Sequence, residues 1–240
     1  MLYALFAASL VGLSPQATST PATELAKPAL PGFHLVAATA RVDYFAMSDS
    51  SAKVDDARKV EQMLEAIERR MGQRGPGRLS YYRVSYVADM QRLTGRPLLG
   101  VTDAQGRRII SCVAVHAHEI VHSVAISMGE PGRFFDEGLA VALSGEPEWR
   151  SKRLHQGAKA GLEKRALPRY LADFDGAAPD DAYAVAGAFV EHLIAQHGLA
   201  KVLEFVRGCE TCPRDEMFQR TFGVTVADAG AAWSTQLRNN

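Results

Sequence analysis

The spacing of apolar and polar positions changes near residue 113. Before it, short extended runs dominate. Residues 33–47 are rich in β-branched and aromatic side chains and read as a strand-like run. Val60, Met63, Leu64 and Ile67 recur at helical spacing with charges between them, which predicts a helix over 55–71, broken by the glycines of 72–77. Residues 79–88 read as a second strand, and 89–93 as a short helix with Asp89 as its N-cap. A turn at 103–106 and a third strand at 107–112 follow.

After residue 113 the helical period takes over. Helices are predicted over 113–128, ended by Gly129 and Pro131, and over 134–143. Residues 150–166 form a basic helical segment that reads as a solvated face. A long helix over 180–197 stops at Gly198, and 201–207 and 226–238 are also helical. Strands first and helices after predict an α+β fold, a strand-rich N-terminal half packed on a helical C-terminal half.

Composition narrows the class without choosing a function. The chain has 240 residues, 47% hydrophobic and 22% charged, enough for one sizeable core. Lys plus Arg and Asp plus Glu both number 27, so the formal charge is zero. That balance argues against nucleic acid or an acidic membrane as a general partner. Residues 2–13 are apolar, uncharged and too short to span a bilayer comfortably. A small, polar stretch rich in Ser, Thr and Pro follows them. Residues 1–19 therefore read as a signal peptide, although no Lys or Arg precedes the apolar run, and a buried N-terminal helix is the other reading. Residues 20–31 read as a linker and 32–240 as one domain. The expectation is an exported protein, periplasmic or extracellular, with no stable membrane insertion after processing. Cys209 and Cys212 form a CxxC pair without a second pair to complete a zinc knuckle, so a local disulfide is expected, with Cys112 as a buried lone thiol.

One stretch resists the core reading. Residues 112–125, CVAVHAHEIVHSVA, carry three histidines and a glutamate in an apolar run, where such groups are costly to bury without partners. His118-Glu119-Ile120-Val121-His122 is H-E-x-x-H. On a helix, positions i and i+4 share one face, so His118 and His122 can bind one Zn²⁺, with Glu119 beside them to act on water. Catalytic zinc usually takes three protein ligands. Glu137 is the expected third, a carboxylate in the apolar segment Phe134-Phe135-Asp136-Glu137-Gly138-Leu139-Ala140. Asp136 is a competitor, better suited to accepting a hydrogen bond from a ligating histidine. His116 lies off the His118–His122 face and reads as a helix-start or supporting residue.

HEIVH, the short turn and FFDEGLA together resemble a gluzincin-type zinc metallopeptidase, of the thermolysin-like, peptidase MA-like group. Residues 183–198, and 216–226 with Trp233, resemble its C-terminal helices. The resemblance implies a zincin-like fold and one Zn²⁺ held by His118, His122 and Glu137. It further implies hydrolysis of peptide bonds in a peptide or protein substrate by a metal-activated water, with Glu119 as general base. Tyr183 is a candidate to stabilise the oxyanion, and equally reads as the first residue of an apolar helical stripe with Gly187, Val190 and Ile194. The strand at 107–112 is expected to form the cleft rim with an exposed edge. A catalytically inactive binding module on the same fold is the alternative function, and a metal-free helical protein carrying a chance motif is a third.

Overall fold

The structure is a computed structural model that describes residues 30–145, 148–149, 152–211 and 213–239. The expected signal peptide, most of the expected linker and Cys212 lie outside the described residues.

The first half builds a mixed five-stranded sheet: β1 (Phe33–Ala38), β2 (Val42–Met47), β3 (Leu79–Arg83), β4 (Gly100–Thr102) and β5 (Arg108–Ser111), in the order β1-β2-β3-β5-β4. β1 and β2 pair antiparallel, β2, β3 and β5 run parallel, and β4 returns antiparallel to β5. The run at 33–47 is thus a hairpin. Its turn contains neither Gly nor Pro. Thr39 Oγ1 accepts from the Val42 amide at 3.0 Å, and Glu61 accepts from the Arg41 amide at 2.7 Å. The expected exposed edge at 107–112 is also corrected: β5 has a strand on each side, and β4 forms that border of the sheet. Three residues are too few for a strand period to show in the sequence.

Helix α1 (Val54–Met71) crosses the sheet and ends on Gly72, as its pattern requires. Helix α2 (Val87–Thr94) begins two residues before the expected start. Asp89 is not its N-cap but its third residue, with a carboxylate that accepts from the Tyr86 amide at 3.2 Å.

The helical half comprises α3 (Ala117–Ala125), α4 (Arg133–Ser144), α5 (Leu154–Lys164), α6 (Leu167–Ala172), α7 (Pro179–His197), α8 (Leu199–Gly208), α9 (Arg214–Phe222) and α10 (Val226–Asn239). The fold is α+β. Among the described residues of the basic segment at 150–166, the helix begins at Leu154. Lys152–Arg153 (β7) pairs antiparallel with Glu148–Trp149 (β6) before it. Helix α4 packs on both α3 and α7, and α7 packs on α5 and α8. Cys112 is half-buried, and burial pushes its thiol pKa up.

Two tyrosines tie the sheet to the start of α3. Tyr44 on β2 and Tyr81 on β3 stack with ring centroids 5.1 Å apart. The Tyr44 hydroxyl donates to the Ala114 carbonyl at 3.0 Å and the Tyr81 hydroxyl to the Val113 carbonyl at 2.7 Å. These carbonyls are thereby engaged by the sheet. Residues 113–116 accordingly form a loop, and the helix starts at Ala117 rather than at residue 113. The His116 amide closes the link by donating to the Tyr81 hydroxyl at 3.1 Å.

Candidate metal centre

Helix α3 is buried along nearly its whole length. Ile120, Val121 and Val124 are at most 1% exposed. Each such side chain stabilises by roughly 1.5–3 kcal/mol, which offsets the cost of carrying His118, Glu119 and His122 on the same short helix.

Glycines and Pro131 at 129–132 turn the chain, and α4 runs back across α3, which brings Glu137 to the two histidines. His118 Nε2 lies 3.0 Å from Glu137 Oε2 and 3.1 Å from His122 Nε2, and His122 Nε2 lies 3.3 Å from the same oxygen. Three donor atoms thus form a nearly equilateral triangle. Ligand atoms of a tetrahedral zinc with bonds of about 2.0–2.1 Å are separated by about 3.3–3.4 Å, so the triangle is close to one face of such a site. Two imidazoles and one carboxylate suit zinc better than calcium or magnesium, which prefer oxygen. Among the described residues, these three form the one such cluster of His, Cys, Asp and Glu.

Supporting groups surround the triangle. Asp136 Oδ1 is 3.4 Å from His122 Nδ1, at the outer edge of hydrogen-bonding distance, on the ring atom opposite the triangle. Arg133 Nη1 lies 3.0 Å from Glu137 Oε1, and its Nε donates to Asp175 at 2.9 Å. The two oxygens of Glu137 are therefore divided: Oε2 meets the histidines and Oε1 meets Arg133. Burial raises the Glu137 pKa, but hydrogen bonds and charge from His118 and His122 outweigh it and hold the carboxyl well below its ordinary range. Burial disfavours a charged His122, but Asp136 and Glu137 prevail and hold its pKa well above the usual value.

His118, one corner of the triangle, lines a cavity of about 440 Å³ together with Glu119 and Arg133. Its apolar lining includes Leu98, Leu99, Val113, Phe174 and Ala182, and Tyr183 also lines it. Tyr183 is half-buried on α7, with its ring 5.9 Å from that of His118 and 5.4 Å from Phe174. Burial and the charge of Glu137 push its phenol pKa up, so it is a proton donor at neutral pH. His116 sits immediately before α3 and lines the same cavity, with Nδ1 3.0 Å from Ser111 Oγ. Burial, then the charges of His118 and His122, lower its pKa to about 3.

The residues expected at the metal site, His118, Glu119, His122, Asp136, Glu137 and Tyr183, thus lie at or beside the triangle. Arg133, Gly100 and Thr102 were not singled out. Arg133 carries a readable signal, since it lies four residues before Glu137 on one helix face. Gly100 leaves room for its neighbours: a Cβ there would meet the His116 ring and come within 2.7 Å of Glu119 Cγ. Thr102 donates toward the Glu119 carboxylate across the cavity edge. His192 and His197, near the end of α7, take no part in this site.

No family model matches the chain, no curated protein matches it, and no solved structure matches it. Fold alone does not fix function, and the chemistry of the site is what bears on it.

Proposed function

We propose that the chain is a zinc-dependent peptidase of zincin-like, gluzincin-type architecture. The observation that carries the proposal is the convergence of His118 Nε2, His122 Nε2 and Glu137 Oε2 within 3.3 Å of one another, next to an open, largely apolar cavity lined by His118 and Glu119. His118, His122 and Glu137 would hold the metal, which when bound supplies Lewis-acid polarisation of a carbonyl and acidification of water. Asp136 orients His122, and Arg133 engages the second oxygen of Glu137, so that each ligand enters with one orientation.

Glu119 is the general base. Thr102 engages its Oε2 at 2.8 Å, so proton uptake from the attacking water is assigned to Oε1. The same carboxyl then delivers the proton to the nitrogen of the leaving amine. The Tyr183 phenol remains protonated and is the assigned donor to the oxygen that gains charge in the tetrahedral state. A peptide in extended form is expected to lie along β4, whose outer edge pairs with no strand among the described residues and whose Gly100 lines the cavity. Export through residues 1–19 belongs to the same proposal, and cell fractionation with N-terminal sequencing of the mature protein tests it. Among the described residues no helix is long and apolar enough to cross a membrane.

The decisive experiment pairs metal content with activity. Protein purified without added metal, then incubated with zinc, is expected to hold about one ion per chain and to cleave members of a quenched fluorescent peptide library. Glu119→Gln is expected to retain the ion and lose about 10²–10⁴-fold in kcat. His118→Ala and Glu137→Ala are expected to lose the ion. Absence of zinc binding in the wild type, or full activity in Glu119→Gln, would end this reading.

A further inference from the structure

Thr102 is the last residue of β4, and its side chain reaches across to α3. Its Oγ1 lies 2.8 Å from Glu119 Oε2 and 2.9 Å from the Glu119 main-chain oxygen. A threonine hydroxyl has one proton and can serve one acceptor at a time. Here both acceptors belong to one residue. Two positions earlier on the same strand, Gly100 lets the chain pass so close that a Cβ would come within 2.7 Å of Glu119 Cγ. The strand therefore holds the Glu119 side chain at two points, one steric and one polar. Neither contact involves the three atoms of the triangle.

We propose that Thr102 is a positioning residue for the general base, keeping the Glu119 carboxyl in one rotamer throughout the proton transfer. With Glu119 ionised, the hydroxyl donates to Oε2. Once Oε1 carries the proton taken from water, Oε2 is the carbonyl oxygen of the acid and still accepts from the same hydroxyl. The carboxyl thus stays in place to hand its proton to the leaving amine, and no net proton remains on the pair. This inference rests on the hydrolytic reading above.

The test compares wild type, Thr102→Val and Thr102→Ser as full chains. Metal-free crystals of each give the Glu119 rotamer, melting temperature and zinc stoichiometry control for folding and ligation, and kinetics use the best-cleaved library peptide. In Thr102→Val we expect Glu119 to leave its rotamer, zinc to stay near one per chain, and kcat to fall about 10–100-fold with KM little changed, as a misplacement of about 1 Å can produce. Thr102→Ser should restore both the rotamer and most of the rate. An unmoved Glu119 in the valine variant, or a serine variant as impaired as valine, overturns the proposal. If the wild type cleaves no peptide, the hydrolytic reading fails on its own, and the metal-free crystals still decide whether Thr102 sets the position of Glu119.

Discussion

Asp136 illustrates how much a single residue outside the triangle can matter. Its carboxylate stands 3.4 Å from His122 Nδ1 and is partly exposed, while the opposite ring nitrogen belongs to the triangle. A carboxylate in that position fixes which ring nitrogen carries the proton and raises the basicity of the other. Asp136→Asn is expected to keep the fold and weaken zinc binding about 10–100-fold, measured by competition with a chromogenic chelator. An unchanged affinity would mean that Asp136 is only a surface neighbour. At this scale the sequence is informative wherever the interaction is local. His118 and His122 are one helical turn apart, and Arg133 and Glu137 repeat that spacing on α4, so one-turn geometry brings each pair to one face. Asp136 and Glu137 stand out as carboxylates within an apolar run. Thr102 has no such signature, because its partner is seventeen positions away and only sheet packing joins them.

At the scale of elements, the site depends on how closely α4 and α7 approach. Gly138 follows Glu137 directly, and a Cβ on it would lie 2.7 Å from the Ala186 carbonyl oxygen on α7 and 2.7 Å from Val190 Cγ2. Gly138→Ala must therefore push the helices apart or shift α4. The expected cost is about 1–3 kcal/mol. For a chain of this size that corresponds to roughly 2–12 °C in melting temperature, read by calorimetry. Zinc affinity should fall with it, since Glu137 moves with the backbone. Helix α1 is legible in the sequence because one face carries a sustained apolar stripe, whereas α4 and α7 are apolar nearly all round and are legible from long apolar runs between turn residues. The start of α3 is not, because the carbonyls of Val113 and Ala114 are taken by tyrosines on β2 and β3. The hairpin turn at 39–41 escapes for the same reason, since Glu61 on α1 helps to build it.

For the molecule as a whole, acid stability should depend on a link between the first hairpin and α1. Arg41 donates two hydrogen bonds to Glu68, at 2.6 and 2.7 Å, and the Gly75 amide donates a third at 2.7 Å. The hydrogen bonds from Arg41, acting against burial, hold the Glu68 pKa below its ordinary value. A carboxyl with a depressed folded pKa contributes stability that is complete above the unfolded value, about 4.3, and is lost as pH falls through the folded value. Arg41→Gln should therefore destabilise the protein at pH 7, by about 1–3 kcal/mol, and have much less effect near pH 3. Denaturant melts of both proteins at the two pH values provide the comparison. An equal loss at both would show that Arg41 acts through packing alone.

The features legible without any coordinates lie within one or two turns of chain: the α+β order, the main helical runs, the paired histidines and the glutamate that follows them in an apolar segment. These are patterns of period and chemical type, and neighbouring residues suffice to produce them. Only packing between distant segments puts β4 rather than β5 at the sheet border, brings Glu137 Oε2 to the triangle while Oε1 turns to Arg133, and sets Thr102 against Glu119. Each of these depends on packing between segments far apart in the chain. Such contacts arise from the burial of whole faces, and no local spacing encodes them.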